Sequence, residues 1–490
     1  MNNPSLFVVA AHAFLFSAII AAHANAASDK CVGSLQSALH DVGGELVIKE
    51  CRKLIESGRA GADVLAALGR AYHATGKTRD AVKYYRMAAE QGNSLAQNNL
   101  GVMYIQGRGV PRDDKRAVEL FRQGAEQDYE VAQNNFGYMY QHGRGVAQNL
   151  ERALLWYRRS ADQGYARAQA NLAAMYAKGS GVPRDDKRAA LWYRRAADQG
   201  YPRAQAALGG MYFLGRGVSK DKEQAARWYQ SAAEKGVAIA QACLGQMYYF
   251  GEGIEKDTKL AAKWYSKAAE QGNVDAGYIL GLMYANGDGV PKNQKEALYW
   301  LNRSASHGHK DAGQNAAIIY LDMARELYRS PSSKPITAET YLKRAINLGG
   351  NEFYKQAMIV HENAFRNALK SASSDKAKKA ALAKAEFHLN KLMRLARNAA
   401  ESKDTSLISI GKKVISHRSD YMAALRSSQK TDVVKVLEFI WNVGTAINEA
   451  CKSLHGGKCP SPNANSSQSS SYENPFTYND AAGSMLFLQK

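Results

Sequence analysis

The chain of 490 residues lacks the short motifs that most often identify a catalytic or metal-binding protein. It contains neither His-Glu-x-x-His nor Cys-x-x-Cys, the arrangements that commonly hold zinc or carry out redox chemistry. Its histidines are scattered, and the close pair His307 and His309 has no other metal ligand nearby in the sequence. These absences predict a protein without a metal site, a cofactor or a catalytic centre.

A repeat of 36 residues dominates the middle of the chain, from residue 91 to residue 306. Each copy carries a Leu/Phe-Gly/Ala-x-Met-Tyr run, then Gly-x-Gly-Val/Ile, then an alanine and an aromatic pair. Length alone indicates about three domains, but a short repeat in register predicts one stack of equivalent units instead. The six copies begin at Gln91, Gln127, Gln163, Gln199, Lys235 and Gln271.

Each copy has the pattern of two helices joined by a tight turn. Apolar residues recur on one face of a first helix, called helix A, and on one face of a second, called helix B. The Gly-x-Gly between them supplies the left-handed backbone that ends helix A, and four residues later an Asp or Asn can cap helix B. A glycine inside helix A, such as Gly101, costs about 1 kcal/mol relative to alanine. We therefore expect helix B to approach it closely, with the aromatic pair over the glycine.

This set of motifs resembles the Sel1-like repeat, a relative of the tetratricopeptide repeat. The resemblance implies an all-α fold, an αα-superhelical solenoid of helix hairpins with C-terminal capping helices. It also implies that helix A lines a concave groove in which such proteins hold another protein.

The sequence on either side of the array changes in character. Residues 61–90 resemble a tetratricopeptide-like repeat with a shorter loop, and residues 27–60 are predicted to be an N-terminal helical segment. Residues 307–350 are predicted to be a degenerate repeat with a Ser/Pro-rich insert at 330–335. Residues 351–455 are predicted to be helical, with a basic amphipathic stretch at 375–401 that either caps the array or lies on a membrane. Residues 456–490 are predicted to be disordered.

The first 26 residues are apolar from Leu6 to Ala22 and end in Ala24-Asn25-Ala26, the pattern of a secretory signal peptide. The alternative is an uncleaved segment that anchors the chain in the inner membrane. We therefore expect an exported protein, either periplasmic or secreted.

An oxidising compartment favours disulfides, and the chain has five cysteines. Cys31 with Cys51, and Cys451 with Cys459, are the candidate pairs, although other pairings stay open. Cys243 occupies a helix A position and is predicted to be a buried thiol rather than a nucleophile.

The formal net charge is +20, which predicts attraction to polyanions. Part of this charge is periodic on helix B, at Arg122, Arg158 and Arg194 and, one residue later, at Arg159 and Arg195. The favoured interpretation is a solvated outer face. The alternative is a basic face that binds an anionic envelope polymer or a membrane surface. Nucleic acid is disfavoured, because the chain is predicted to be exported and carries no known binding module.

Positions on helix A that differ between copies are the candidates for partner binding. They are Tyr138, Gln141, Phe213, Gln246, Tyr249 and Phe250. The aromatic members are expected to be exposed anchors, since aromatic side chains contribute much of the binding energy at interfaces. The sequence thus predicts a non-enzymatic scaffold or adaptor of the bacterial cell envelope. Its partner protein and its oligomeric state are left open.

A β-lactam-binding or β-lactam-hydrolysing protein is the less favoured reading, because some proteins with Sel1-like repeats have been described in that way. Ser-x-x-Lys occurs at Ser373, Ser409 and Ser427. Ser-Asp-Asn and Lys-Thr-Gly are missing, so the set of groups that serine enzymes of this kind use is incomplete.

Overall fold

The computed structural model describes residues 44–58, 60–329, 335–371, 378–401 and 404–416, together with Ser419 and Met422. Every regular element in these ranges is an α-helix, and no strand occurs among them. The predicted all-α solenoid fold is confirmed. The predicted signal peptide, the predicted disordered tail, most of the Ser/Pro-rich insert and Cys31, Cys451 and Cys459 lie outside the described residues.

The chain divides into two compact units between Val237 and Ala238. The described part of unit 1 begins with a single helix and continues as five hairpins of a helix A followed by a helix B. Its helices are α1 (Gly44–Glu56), α2 (Ala62–Ala74), α3 (Thr78–Glu90), α4 (Ser94–Gln106), α5 (Asp114–Glu126), α6 (Glu130–His142), α7 (Leu150–Asp162), α8 (Ala166–Lys178), α9 (Asp186–Asp198), α10 (Pro202–Leu214) and α11 (Lys222–Glu234).

Unit 2 contains two further hairpins of the same length, then four longer helices and a final helix of 12 residues. Its helices are α12 (Ala238–Phe250), α13 (Thr258–Glu270), α14 (Val274–Asn286), α15 (Gln294–Ser306), α16 (Ala312–Arg329), α17 (Pro335–Gly349), α18 (Asn351–Ser371), α19 (Lys378–Ala400) and α20 (Thr405–Ser416). Within each unit consecutive helices pack on one another, and the core lies between the layer of A helices and the layer of B helices.

The predicted start and stop signals of the hairpins are confirmed. Helix α4 ends at Gly107, whose φ of 65° is left-handed, and the same conformation ends α6, α8, α10 and α14. Asp113 accepts a hydrogen bond from the backbone N–H of Arg116 (2.9 Å) at the start of α5. The equivalent caps at the starts of the later B helices are Asn149, Asp185, Asp221, Asp257 and Asn293.

The glycine inside helix A lies against helix B, as expected, and the second residue of the bulky pair covers it, a tyrosine at Gly137, Gly209 and Gly245. A Cβ at Gly209 would lie 2.9 Å from the ring of Tyr229, and one at Gly137 would lie 3.0 Å from the ring of Tyr157. Both tyrosines are at most 1% exposed. Close packing of a large ring on bare backbone therefore offsets the helix-propensity cost of the glycine.

The second glycine of each Gly-x-Gly has a further role that the sequence pattern does not reveal. Gly217 has a φ of 68°, and a Cβ there would collide with the carbonyl of Asp186 at the start of helix B in the preceding repeat. Gly145 and Gly289 meet the carbonyls of Asp114 and Thr258 in the same way. The turn of one repeat thus rests directly on the backbone of the repeat before it.

The last helices of unit 2 share one apolar cluster. Phe365 of α18, Leu389 and Leu392 of α19, and Val414 of α20 are at most 1% exposed within this cluster. The amphipathic stretch at 375–401 therefore has Leu389 and Leu392 turned into the protein, where a helix lying on a membrane would present them to lipid. This packing favours the capping interpretation of the stretch.

Candidate functional site

The predicted partner-binding residues of unit 1 differ in exposure. Tyr138 on α6 is half-buried, and the centroid of its ring lies 4.2 Å from that of His142. Gln141 accepts a hydrogen bond from the hydroxyl of Tyr157 (2.7 Å). Phe213 on α10 is only 9% exposed, so the expectation that it is an exposed anchor is wrong. Its ring lies near the start of the next helix B, 5.6 Å from the ammonium of Lys222, and is covered there.

The predicted residues of unit 2 form one continuous patch at the end of α12. Gln246, Tyr249 and Phe250 are three and four residues apart and share one face of the helix. The rings of Tyr249 and Phe250 meet edge to face with centroids 5.1 Å apart, and Phe250 is 39% exposed. The hydroxyl of Tyr249 donates to Asp288 in the turn after α14 (3.3 Å). The pair is therefore held rigidly with one open ring, which is the geometry of an anchor for a partner.

The first set of periodic arginines on helix B makes contacts inside the array. Arg158 donates to the hydroxyl of Tyr176 in the next repeat (3.1 Å), and Arg194 donates to the hydroxyl of Tyr212 in the same way. Arg122 instead pairs within its own helix with Glu119 (2.6 Å) and Glu126 (3.0 Å). Two of these periodic arginines, Arg158 and Arg194, thus join neighbouring repeats. In both cases the tyrosine lies 18 residues after the arginine, and this constant spacing could have indicated the role.

The second set of arginines stacks on tryptophan. The guanidinium carbon of Arg159 lies 4.8 Å from the ring centroid of Trp156, and that of Arg195 lies 4.4 Å from the ring of Trp192. In each pair the arginine follows the tryptophan by three residues on the same helix, so its guanidinium lies over the indole ring. The arginines remain exposed while their positions are fixed.

A row of buried glutamines on the A helices was missed from the sequence. Gln133, which is 0% exposed, donates to the carbonyl of Ala125 (3.3 Å) and accepts from Gln163 of the next repeat (2.8 Å). The same pair of bonds recurs at Gln97 and Gln169, and Lys235 takes the donor position toward Gln205. The sequence does carry a sign of this row, because glutamine recurs at the first residue of most copies and again six residues later.

Replacing Gln133 with methionine is expected to lower the free energy of unfolding by about 1–3 kcal/mol. The change keeps the shape but removes one of the donors to the Ala125 carbonyl, which still accepts from the backbone N–H of Asp128 (3.2 Å), and leaves the Gln163 amide without its acceptor. Urea titration followed by circular dichroism would measure the loss, with Gln230→Met on an exposed face as the control. Equal midpoints for the two variants would show that the row contributes nothing to stability.

The two cysteines inside the described ranges are both buried. Cys51 on α1 is 0% exposed and Cys243 on α12 is 7% exposed. The burial of Cys243 agrees with its predicted core position. The two candidate disulfides each include a residue outside the described ranges and stay predictions.

A cluster of buried ionisable residues in unit 2 was also missed. His361 and His388 are 1% and 0% exposed, and their Nδ1 atoms are 3.1 Å apart. Nε2 of His361 lies 3.3 Å from Glu339, whose other oxygen accepts from Lys391 (3.0 Å). The cluster joins α17, α18 and α19. Members on different helices are 22 to 52 residues apart in the chain, so no local motif could have revealed the cluster.

The surroundings of this cluster lower the pKa values of both His388 and Glu339. Loss of solvent, together with the nearby His361 and Lys384, lowers the pKa of His388 to about 3. For Glu339 burial acts to raise the pKa, but hydrogen bonds from His361 and Lys391 outweigh it and bring the pKa to about 2. At neutral pH the carboxylate is therefore charged and His388 is neutral. Among the described residues, Nε2 of His388 has no hydrogen-bond partner.

Metal clusters and membrane-spanning helices are both absent from the described residues. No group of three or more His, Cys, Asp or Glu side chains there is arranged to hold a metal ion. None of the helices in that part of the chain combines the length and apolar character needed to span a bilayer.

Stacked αα-hairpins whose A helices end at a glycine define a helical-repeat protein. Comparison with known families identifies the type of repeat. The Sel1 repeat model matches residues 65–93, 94–129, 131–165, 166–201, 202–237, 238–273 and 274–309. The chain belongs to the Sel1 repeat family. The first match shows that the segment at 61–90, which resembled a tetratricopeptide repeat, contains a seventh Sel1 copy.

Two solved structures are similar to this chain. The Sel1 repeat protein from Oxalobacter formigenes is 38% identical, and the match covers 49% of this chain and 98% of that one, with a TM-score of 0.47. The protein c5321 is described as a protective antigen of uropathogenic Escherichia coli with an SLR fold. It is 28% identical over 86% of this chain and 92% of its own, with a TM-score of 0.50. Comparison with curated proteins gives no match. Repeats of this family generally mediate protein–protein interaction.

Proposed function

We propose that the protein is an exported, non-enzymatic scaffold of the bacterial cell envelope that binds another protein through the exposed face of its A helices. The single observation that carries the proposal is the patch of Gln246, Tyr249 and Phe250. It presents a half-exposed aromatic ring on a rigid support, at positions that the other copies fill with unrelated residues. Residues fixed by packing stay constant between copies, so a variable exposed position is free to be shaped by a partner.

Site-specific crosslinking tests this proposal. A benzoylphenylalanine at position 250 is expected to capture a partner protein in cells, and mass spectrometry would identify it. The matched control is position 299, where Tyr299 is 55% exposed on helix B and its ring also meets a neighbouring aromatic ring edge-on, that of Trp300. The same adduct at both positions, or none at 250, would contradict the proposal.

Truncation of the aromatic residues gives the energetic counterpart. Tyr249→Ala with Phe250→Ala is expected to weaken binding of the identified partner by about 2 kcal/mol or more, roughly thirtyfold, because anchor side chains at interfaces typically contribute that much. Tyr138→Ala with Tyr249→Ala tests whether the helix A face of unit 1 also takes part. Calorimetric titration would measure the affinity. If the melting temperature falls and the affinity does not, the aromatic residues belong to the core and the assignment to the binding face is wrong.

A further inference from the structure

Two neighbouring B helices in unit 1 carry a sequence that the other copies do not have. Residues 152–159 read Arg-Ala-Leu-Leu-Trp-Tyr-Arg-Arg, and residues 188–195 read Arg-Ala-Ala-Leu-Trp-Tyr-Arg-Arg. In both, a leucine has an arginine three residues before it and two arginines three and four residues after it. This spacing places the arginines next to the leucine on the same helical face. Helix B is thus specialised in these two adjacent repeats.

Leu155 and Leu191 are 48% and 51% exposed, so both side chains face solvent. The equivalent residues in the other copies are Glu119, Arg227, Lys263 and Tyr299. Because the position accepts charged residues elsewhere, packing does not require leucine there. The two side chains occupy equivalent positions of α7 and α9, the B helices of two consecutive repeats in one unit, and both lie outside the core.

The arginines around the two leucines are held in place by aromatic groups. Arg159 and Arg195 stack on Trp156 and Trp192, and Arg158 bonds to the hydroxyl of Tyr176. No carboxylate of the described residues forms an ion pair with any of these three arginines. Their charge is therefore available and their side chains have little freedom to lose on binding.

From this arrangement the geometry points to a docking surface for an anionic phospholipid bilayer on the outer face of α7 and α9. Leu155 and Leu191 would enter the interfacial region, while the surrounding guanidiniums bind lipid phosphates. A lipid surface fits better than a peptide, since the face belongs to the outer layer of B helices and offers two projecting leucines but no described groove. Mobile headgroups can also adjust to arginines whose positions are fixed. Charge complementarity and apolar burial act together in such binding.

This surface is separate from the patch on α12 that carries the proposed scaffold function. It lies on B helices of unit 1, whereas Gln246, Tyr249 and Phe250 lie on an A helix of unit 2. Membrane binding and partner binding can therefore be tested independently, and failure of one does not contradict the other. The periodic arginines led to the alternative prediction of an anionic partner, and this face is where we place its binding.

Sedimentation with vesicles tests the surface in the full-length chain. Vesicles of phosphatidylglycerol and phosphatidylcholine are expected to bind the protein, and vesicles of phosphatidylcholine alone are expected to bind it at least about tenfold more weakly. Leu155→Gln with Leu191→Gln is expected to weaken binding to the anionic vesicles by about tenfold, through loss of apolar burial. Arg159→Gln with Arg195→Gln is expected to weaken it by a similar factor.

Matched variants elsewhere on the B helices serve as controls. Leu260→Gln with Tyr299→Gln removes comparable exposed apolar surface, and Arg227→Gln with Lys263→Gln removes the same charge at the position equivalent to the leucines. Both controls are expected to bind vesicles like the unmodified chain, and all variants should keep its melting temperature. If the leucine variant binds normally while soluble polyphosphate competes fully, the face binds polyanions and the lipid assignment is overturned. If an acidic amphipathic peptide binds this face and vesicles do not, the surface is a protein site and the assignment is likewise overturned.

Discussion

Alanine at position 217 is expected to destabilise unit 1 by about 2–5 kcal/mol, an effect out of proportion to one added methyl group. Gly217 has a φ of 68°, which costs about 1–2 kcal/mol for a residue with a Cβ. The added Cβ would also collide with the carbonyl of Asp186 in the preceding repeat. Backbone cannot move aside as a flexible side chain can, so the two repeats must separate. Such overpacking typically costs a further 1–3 kcal/mol or so.

Gly164→Ala is the matched control for Gly217→Ala. Gly164 also has a positive φ, of 93°, but a Cβ there would meet nothing within 4 Å. This variant is expected to lose only the backbone cost, about 1–2 kcal/mol. Thermal and urea unfolding monitored by circular dichroism would compare the two. Equal losses would show that contact between repeats is not what requires glycine at position 217.

Acidification is expected to loosen the C-terminal helices of unit 2 well before the carboxylates of the protein are protonated. His388 has a folded pKa of about 3, whereas an ordinary histidine titrates near 6.5. Below pH 6.5 or so the unfolded chain therefore takes up a proton that the folded state excludes. Each pH unit from there down to about 3 then lowers the free energy of unfolding by up to about 1.4 kcal/mol. The stability that His388 contributes is fully present only above the unfolded pKa.

The geometry of the cluster explains why the second proton is excluded. Nε2 of His361 faces the charged carboxylate of Glu339 and must carry a hydrogen, so His361 and His388 share one further hydrogen between their Nδ1 atoms. A further proton on His388 would go to Nε2, which is buried without a hydrogen-bond partner among the described residues, and the ring would become charged near Lys384. Glu339 adds to the loss only below its ordinary pKa near 4.5, because its folded pKa is about 2.

Hydrogen exchange of peptides from α18 and α19, corrected for the intrinsic rate at each pH, would measure this loosening. Protection is expected to fall by up to about a hundredfold between pH 6.5 and pH 4.5. His388→Gln keeps a hydrogen-bonding group but removes the titration, so its protection should be nearly flat over that range. His307→Gln, in an exposed turn, should behave like the unmodified chain. A steep fall that persists in His388→Gln would contradict the assignment to His388.

Much of the hairpin structure could be predicted from the sequence, because its causes are local. Asp113 caps the residues directly after it, and Gly107 ends the helix directly before it. The close approach at Gly209 could also be predicted, since glycine occupies this helix A position in five of the six copies, with Ala173 as the exception, and needs a common cause. Even the difference between Arg122 and Arg158 has a local reason. Arg122 has glutamates three residues before and four after it, whereas Arg158 has Leu155 before it and reaches Tyr176 instead.

The candidate surfaces were predicted less completely. Tyr249 and Phe213 occupy the same position of their copies, yet Tyr249 is part of an open patch and Phe213 is covered near the start of α11. Position in the repeat fixes the direction of a side chain but leaves its burial to the residues around it. The histidine pair shows the limit most clearly, since His361 and His388 have no sequence relationship that brings them together.

The sequence by itself determined the unit of this protein, a helix hairpin with its own caps, its own turn and a fixed length. Those features arise from hydrogen bonds and backbone angles within a few residues, which repeat whenever the residues repeat. The tertiary structure alone decided which glycine touches a neighbouring backbone, which arginines stay available and which histidines share a proton. Each of these depends on atoms from separate helices, whose distance is set by the packing of whole side chains.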